Sequence, residues 1–238
     1  MPLNNPQECP EVDAEELAWI TQTDMIEVDR IMIEDLRIDL IQMMENAGRG
    51  LARVVKEQSS AERVVIGAGS GGNGGGGLVA ARHLVNASFD VSVVLTQAPE
   101  DMTPVPAHQL DILQRMGVPI VDSADGADLF VDAIIGYSLK GAPFGKSAEL
   151  IEQAAGAKAI VALDTPSGLN VTSGETPGVV VTADATVTLA LPKTGMRSSS
   201  HVGELYLADI SVPQSVTTAF GKPAPTFGTS GLIRISSN

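Results

Sequence analysis

Apolar and polar positions along this chain change their period near residue 63. Before it, apolar residues recur at helical spacing. Asp13-Ala14-Glu15-Glu16 reads as a capping box that opens a short helix carrying Leu17 and Ile20. A second helix starts near Asp24, with Glu27 three residues on, and its stripe Val28, Met32, Leu36 runs i, i+4, i+8. A third takes Asp39 as its cap with Gln42 behind it. Ile41, Met44, Gly48, Leu51 and Val55 mark one of its faces, and Gly48 would let another backbone come close.

From Arg63 onward, short β-branched runs alternate with helical segments. The expected strands are Arg63–Ile66, Asp90–Leu95, Pro119–Val121, Leu129–Ile135, Ala159–Leu163, Ala185–Leu189 and Glu204–Ala208. The expected helices between them are Gly77–Asn86, Pro106–Met116 and Lys146–Ala155. Several strands are nearly all apolar, as strands buried on both faces are. The alternation implies an α/β fold: a three-layer α/β/α sandwich around a Rossmann-like, mostly parallel sheet, preceded by the N-terminal helices. Ligands of such sheets sit at the carboxyl ends of the strands. Residues 1–22 read as an N-terminal extension with a loose leader, and residues 23–213 as the domain. Residues 214–238, rich in Ser, Thr, Pro and Gly, read as a surface-running tail.

Composition removes several classes of function. The 238 residues carry a formal net charge of −14 and no basic run. Nucleic-acid binding needs clustered Lys and Arg, so it is not expected. No stretch approaches the ~20 apolar residues that span a bilayer. The N-terminus has neither a basic segment nor an apolar signal core. Cys9 is the single cysteine, which excludes an internal disulfide and suits a reducing, cytoplasmic location. It has no base nearby and is a poor nucleophile. His83, His108 and His201 show no metal-ligand spacing.

Gly69 to Gly77 read G-S-G-G-N-G-G-G-G between an expected strand and an expected helix. Strand, glycine loop and helix aim backbone N–H groups at an anion, typically a phosphate. Tight packing is the competing explanation, and phosphate contact is favoured over it. Gly69, Gly71 and Gly74 satisfy G-x-G-x-x-G. About 20 residues later, where a dinucleotide oxidoreductase places its ribose carboxylate, the chain has Val93, Val94 and Leu95. Asp132 interrupts an apolar strand, where it needs a cation or hydrogen-bond donors, and spacing leaves both open. Asp164 ends another strand just before Pro166-Ser167-Gly168 and faces the ligand crevice. An acid–base role is favoured there over a turn-forming one. Lys193 follows a further buried strand, where it either neutralises a phosphate or is a solvated loop lysine.

Together these segments resemble the YjeF N-terminal domain family, whose enzymatic members are NAD(P)H-hydrate epimerases. The resemblance runs from about Asp24 to Pro213. It is carried by Met44-Glu45-Asn46-Ala47-Gly48-Arg49, the glycine loop with Leu78 to Leu84, the strand with Asp132 and its Gly136–Gly141 loop, Asp164 to Leu169, and Pro192-Lys193-Thr194-Gly195. It implies an enzyme that interconverts the R and S forms of NADH or NADPH hydrated at C6 of the nicotinamide ring. Asp164 would be the catalytic acid–base group, one such group sufficing. Gly72, Asn73, Gly74, Gly75 and Gly76 would bind substrate, with Gly136, Tyr137, Ser138, Leu139, Lys140, Gly141, Ala142, Asp164 and Lys193. Asn73, Asp132 and Ser167 would hold one potassium ion per subunit. The resemblance also implies a homodimer and a separate dehydratase acting downstream. The loop departs from the family's Asn-Asn-Gly-Gly-Asp-Gly at Gly72 and Gly76. That departure keeps a second reading open, a non-catalytic nucleotide-binding or protein-interaction scaffold on the same fold.

Overall fold

The computed structural model describes residues 9–58, 61–223 and 225–236. Its strands are β1 (Glu11–Asp13), β2 (Arg63–Ala68), β3 (Asp90–Leu95), β4 (Leu129–Ala133), β5 (Ala159–Leu163), β6 (Ala185–Leu189), β7 (Glu204–Ala208) and β8 (Leu232–Ser236). Its α-helices are α1 (Gln22–Arg30), α2 (Leu40–Gln58), α3 (Gly72–Asn86), α4 (Pro104–Arg115), α5 (Gly145–Ala154) and α6 (Gln214–Ala219). One sheet runs β1-β8-β7-β6-β5-β4-β2-β3. Every pairing is parallel except β7 with β8. The central strands β4 and β6 are buried along their whole length, which is why they read as apolar runs. The α/β class and the mostly parallel sheet are as expected.

Several local expectations change. Thr21, not Asp24, caps α1; Asp24 is its N3 residue and completes a capping box with Thr21. Asp13 caps only a single 3-10 turn, Ala14–Glu16. Val28 and Met32 are buried, but a π turn over Ile31–Asp35 interrupts the stripe and leaves Leu36 exposed. Pro119–Val121 makes only a bridge, Ile120 to Val93. The largest change lies at the ends of the chain. Residues 232–236 form β8, inserted between β7 and β1, and residues 214–219 form α6. Residues 1–8 of the leader lie outside the described residues.

The glycine stretch is mostly helix. α3 begins at Gly72, with Gly71 as its N-cap, so only residues 69–71 form a loop. A Cβ on Gly74 would lie 1.9 Å from Gly69 O, on Gly76 2.6 Å from Leu163 Cδ2, and on Gly77 2.4 Å from Ala133 Cβ. Gly48 of α2 meets the same helix, its would-be Cβ 2.5 Å from Val79 and 2.6 Å from Gly76 O. Here close packing outweighs the low helix propensity of glycine. No helix among the described residues is long and apolar enough to cross a membrane.

Candidate functional site

A cleft of about 620 Å³ opens at the carboxyl ends of β2, β4 and β5, where this topology places ligand sites. Gly69, Ser70, Gly71, Gly72 and Asn73 form one side; Ile134 to Lys140 and Ala142 to Ser147 form another. Met25 and Asp29 of α1, with Met43 and Met44 of α2, close it from the N-terminal helices, and Asp164 lies on its wall.

Asp164 follows β5 in a left-handed conformation, φ 65°, and is 3% exposed. Its N–H donates to Val187 O of β6 at 2.7 Å, which holds the turn against the neighbouring strand. The main-chain N–H of Tyr137 donates to Asp164 Oδ2 at 2.9 Å. The other oxygen, Oδ1, forms an ion pair with Lys193 Nζ. Lys193 is wholly buried and spends its remaining donors on Thr188 Oγ1 (3.0 Å) and Leu189 O (2.8 Å). All three ammonium donors are thus engaged. The main-chain N–H of Ile20 donates to Pro192 O and that of Thr194 donates to Ile20 O, which pins the lysine's loop to the N-terminal segment. Lys193 is therefore neither a solvated loop residue nor a cleft-lining phosphate contact. It is the counter-ion of Asp164.

Asp132 lies beneath the cleft. It is wholly buried and accepts from Ser167 N (2.7 Å), Ser167 Oγ (2.5 Å) and Ile134 N (3.2 Å). Burial pushes its carboxyl up to about 6, against the opposing effect of those donors. Ser167 Oγ also accepts from Ile135 N at 2.8 Å, which ties β4's exit to the turn after β5. Asn73 stands differently. Both its amide oxygen and its amide nitrogen are buried without a hydrogen-bond partner. A Cβ on Gly136 would lie 3.2 Å from Asn73 Cγ and 3.1 Å from Asp164 Oδ2, so Gly136 is bare because those two side chains crowd it.

The structure thus gathers Gly72, Asn73, Gly136, Tyr137, Ser138, Leu139, Lys140, Ala142 and Asp164 around one cleft. Gly74, Gly75 and Gly76 do not line it. They are buried inside α3, where the Gly69 main chain (at Gly74), Val105 (at Gly75), and Leu163 and Met44 (at Gly76) fill the space their side chains would need. Gly141 lies outside the lining on an exposed turn, φ 69°. Gly71 and Gly72 keep open space at the start of α3, and no side chain caps that end. Within the glycine stretch, these two residues are the ones that leave backbone open to an anion at the helix start. Cys9 lies outside the cleft, and burial pushes its thiol up to about 11.

Asp29 is the cleft residue that sequence reasoning missed. It accepts a hydrogen bond from the Tyr137 hydroxyl at 2.6 Å. Burial raises its carboxyl above the ordinary range, and the nearby Asp164 adds to that, while Tyr137 and Lys193 oppose it. Burial and Asp29 together also raise the Tyr137 hydroxyl. One signal was available: Asp29 is four residues past the buried Met25, on the same helix face.

Comparison with known proteins places the chain in a family. A family model described as "YjeF-related protein N-terminus" matches residues 40–195. The chain is 42% identical over 211 residues to an NAD(P)H-hydrate epimerase of Dehalogenimonas lykanthroporepellens, covering 85% of each chain. It is 33% identical to an NAD(P)H-hydrate epimerase of Rhodopirellula baltica, over 82% of this chain and 84% of that one. It is 38% identical to a bifunctional NAD(P)H-hydrate repair enzyme of Moorella thermoacetica, of whose length it spans 41%. Among solved structures, that of yeast ynu0 matches with a TM-score of 0.79 at 24% identity, over 92% of this chain and 100% of that one, a likeness of fold.

Proposed function

Because the chain belongs to the family of YjeF-related protein N-termini, we propose that its cleft takes NADH or NADPH hydrated at C6 of the nicotinamide ring and interconverts the R and S forms. The chain is an enzyme, an epimerase of NAD(P)H-hydrate repair. Asp164 exchanges the proton with the C6 oxygen. As the hydroxyl leaves, the ring-nitrogen lone pair forms the C6–N double bond; water then adds at the other face. The observation that carries this reading is Asp164 on the cleft wall, its carboxylate fixed from behind by the buried Lys193 and by the Tyr137 main-chain N–H. A scaffold would have no use for a carboxylate held this way. The uncapped start of α3, with the open backbone of Gly71 and Gly72, is suited to the pyrophosphate.

Asn73, Asp132 and Ser167 would hold a potassium ion. The fit rests on Asn73 Oδ1, a buried oxygen with no donor, and on Asp132, a buried carboxylate with no counter-ion among its hydrogen-bond partners. Bound there, the cation would offset the Asp132 charge beneath the cleft. A homodimer and a separate dehydratase that consumes the S form complete the proposal. The relatives that span both activities in one chain favour such a link.

The test is a time course of R-to-S conversion of hydrated NADH by the purified protein. Asp164→Asn should fold and lose at least about 100-fold in kcat, the usual scale of an acid–base group. Conversion at the wild-type rate by Asp164→Asn would remove Asp164 from the reaction.

A further inference from the structure

Epimerisation at one carbon moves protons on two faces of a ring. The hydroxyl leaves from one face and water arrives at the other. On the epimerase reading, Asp164 serves one face. The cleft holds a second carboxylate, Asp29, which projects from α1 beside Met25. Tyr137 joins the two: its main-chain N–H donates to Asp164 Oδ2 at 2.9 Å and its hydroxyl to Asp29 Oδ2 at 2.6 Å. The carboxylates therefore engage opposite ends of one tyrosine, on different elements of the same cleft. Enzymes that invert a sugar carbon keep two carboxyls roughly 6.5–9.5 Å apart for the same reason, to seat a water between them.

Their surroundings differ. Asp164 has the Lys193 ammonium on one oxygen and the Tyr137 main-chain N–H on the other. Asp29 has a phenol, and it lies near the negative charge of Asp164 and the positive charge of Lys193. Burial and Asp164 together favour a proton on Asp29. One carboxyl paired with an ammonium and the other with a phenol is the arrangement in which two carboxyls divide into a base and an acid.

Resting on the epimerase reading of the cleft, we propose that Asp29 is a second acid–base residue of the reaction, acting on the ring face opposite Asp164. In one direction the Asp29 carboxyl gives its proton to the C6 hydroxyl. The C6–O bond breaks, water leaves, and the nitrogen lone pair forms the C6–N double bond. A water on the Asp164 face then bonds to C6, the electron pair returns to nitrogen, and the released proton goes to Asp164. In the opposite direction the roles exchange. The proton passes from Asp164 back to Asp29 through cleft water between turnovers. No electron is gained or lost.

The active form carries one proton shared between two carboxylates, so kcat/KM against pH should be bell-shaped. The experiment measures conversion of both epimers of hydrated NADH from pH 5 to 9. Asp29→Asn should lower kcat by about 100-fold, leave KM within about threefold, and remove the alkaline limb. Tyr137→Phe deletes the donor that favours the charged form of Asp29, so the alkaline limb should move to higher pH with a smaller loss of rate. An active wild type together with an Asp29→Asn protein of unchanged rate and pH profile overturns this inference alone. A wild type that converts neither epimer overturns the epimerase reading beneath it. Should Asp29→Asn fail to fold, the alkaline limb of Tyr137→Phe decides: a shift supports the role of Asp29, and an unmoved limb removes it.

Discussion

Lys193 is the residue on which the site depends most, although it does not touch the cleft. Its ammonium is wholly buried and Asp164 is its ion-pair partner. Removing one partner of a buried pair leaves an uncompensated charge and costs about 3–5 kcal/mol. Lys193→Met should therefore lower Tm sharply in calorimetry, and Asp164→Asn, which keeps an acceptor for the lysine, should lower it less. An equal and small loss in both variants would mean that the pair does little for the fold. Asp132 sets a second residue-scale effect. Its folded carboxyl is pushed up to about 6, from an ordinary value of 3.8. Between those values the folded protein holds a proton that the unfolded chain has released. Stability from this group thus rises as pH falls from about 6 toward 4, and roughly 3 kcal/mol of it is missing at pH 7. A cation beside Asp132 would reverse part of that deficit. Potassium chloride should then raise Tm at pH 7.5 relative to tetramethylammonium chloride at equal ionic strength, and less so at pH 5. Identical melting in the two salts would speak against a potassium site.

At the scale of elements, α3 separates the glycines by their neighbours. Gly77 packs on Ala133 of β4 with no room for a methyl, whereas the nearest atoms to a Cβ on Gly72 are Leu40 methyls at 3.7 Å. Gly77→Ala should destabilise by about 1–3 kcal/mol through overpacking. Gly72→Ala should be neutral, or stabilising by a few tenths of a kcal/mol to ~1 kcal/mol from helix propensity. Urea unfolding of both variants checks this, and equal effects would contradict the packing account. The same helix shows where reading the sequence succeeds and where it stops. Strands such as Val64–Ile66 and Val161–Leu163 were legible because burial on both faces leaves nothing but apolar residues. Asp164 and Asn73 were legible because polar residues at strand ends and helix starts face ligands in this architecture. The helical state of Gly72 to Gly77 was not, because α2, β4 and β5 impose it from outside. Burial of Lys193 and the bond from Tyr137 to Asp29 join residues 29 and 108 positions apart in the chain, and no local pattern encodes them.

The whole molecule carries one further consequence of the sheet order. β8 lies between β7 and β1, so the last stretch of the chain completes a sheet begun by the first. Leu232, Ile233 and Ile235 are buried, with Ile233 and Ile235 packed in a cluster with Ala14, Leu17, Leu205 and Leu207. Its alternation was hard to read because Arg234 sits inside a run flanked by Ser, Thr and Gly. Arg234 is accommodated at the sheet, where it reaches Glu204 Oε1 of β7 at 3.2 Å. No residue of this cluster lines the cleft, although β6 and the segment after β7 contribute Leu189 and Ile210 to its wall. Stability and catalysis should therefore respond independently to changes there. Ile233→Ala removes a fully buried side chain and should cost about 2–5 kcal/mol. Well below its lowered Tm, the variant should keep wild-type kcat and KM per folded molecule. A fall in kcat without a fall in Tm would mean that the β7–β8–β1 end of the sheet is coupled to the cleft, for which Ile210, two residues past β7 and on the cleft wall, offers a connection.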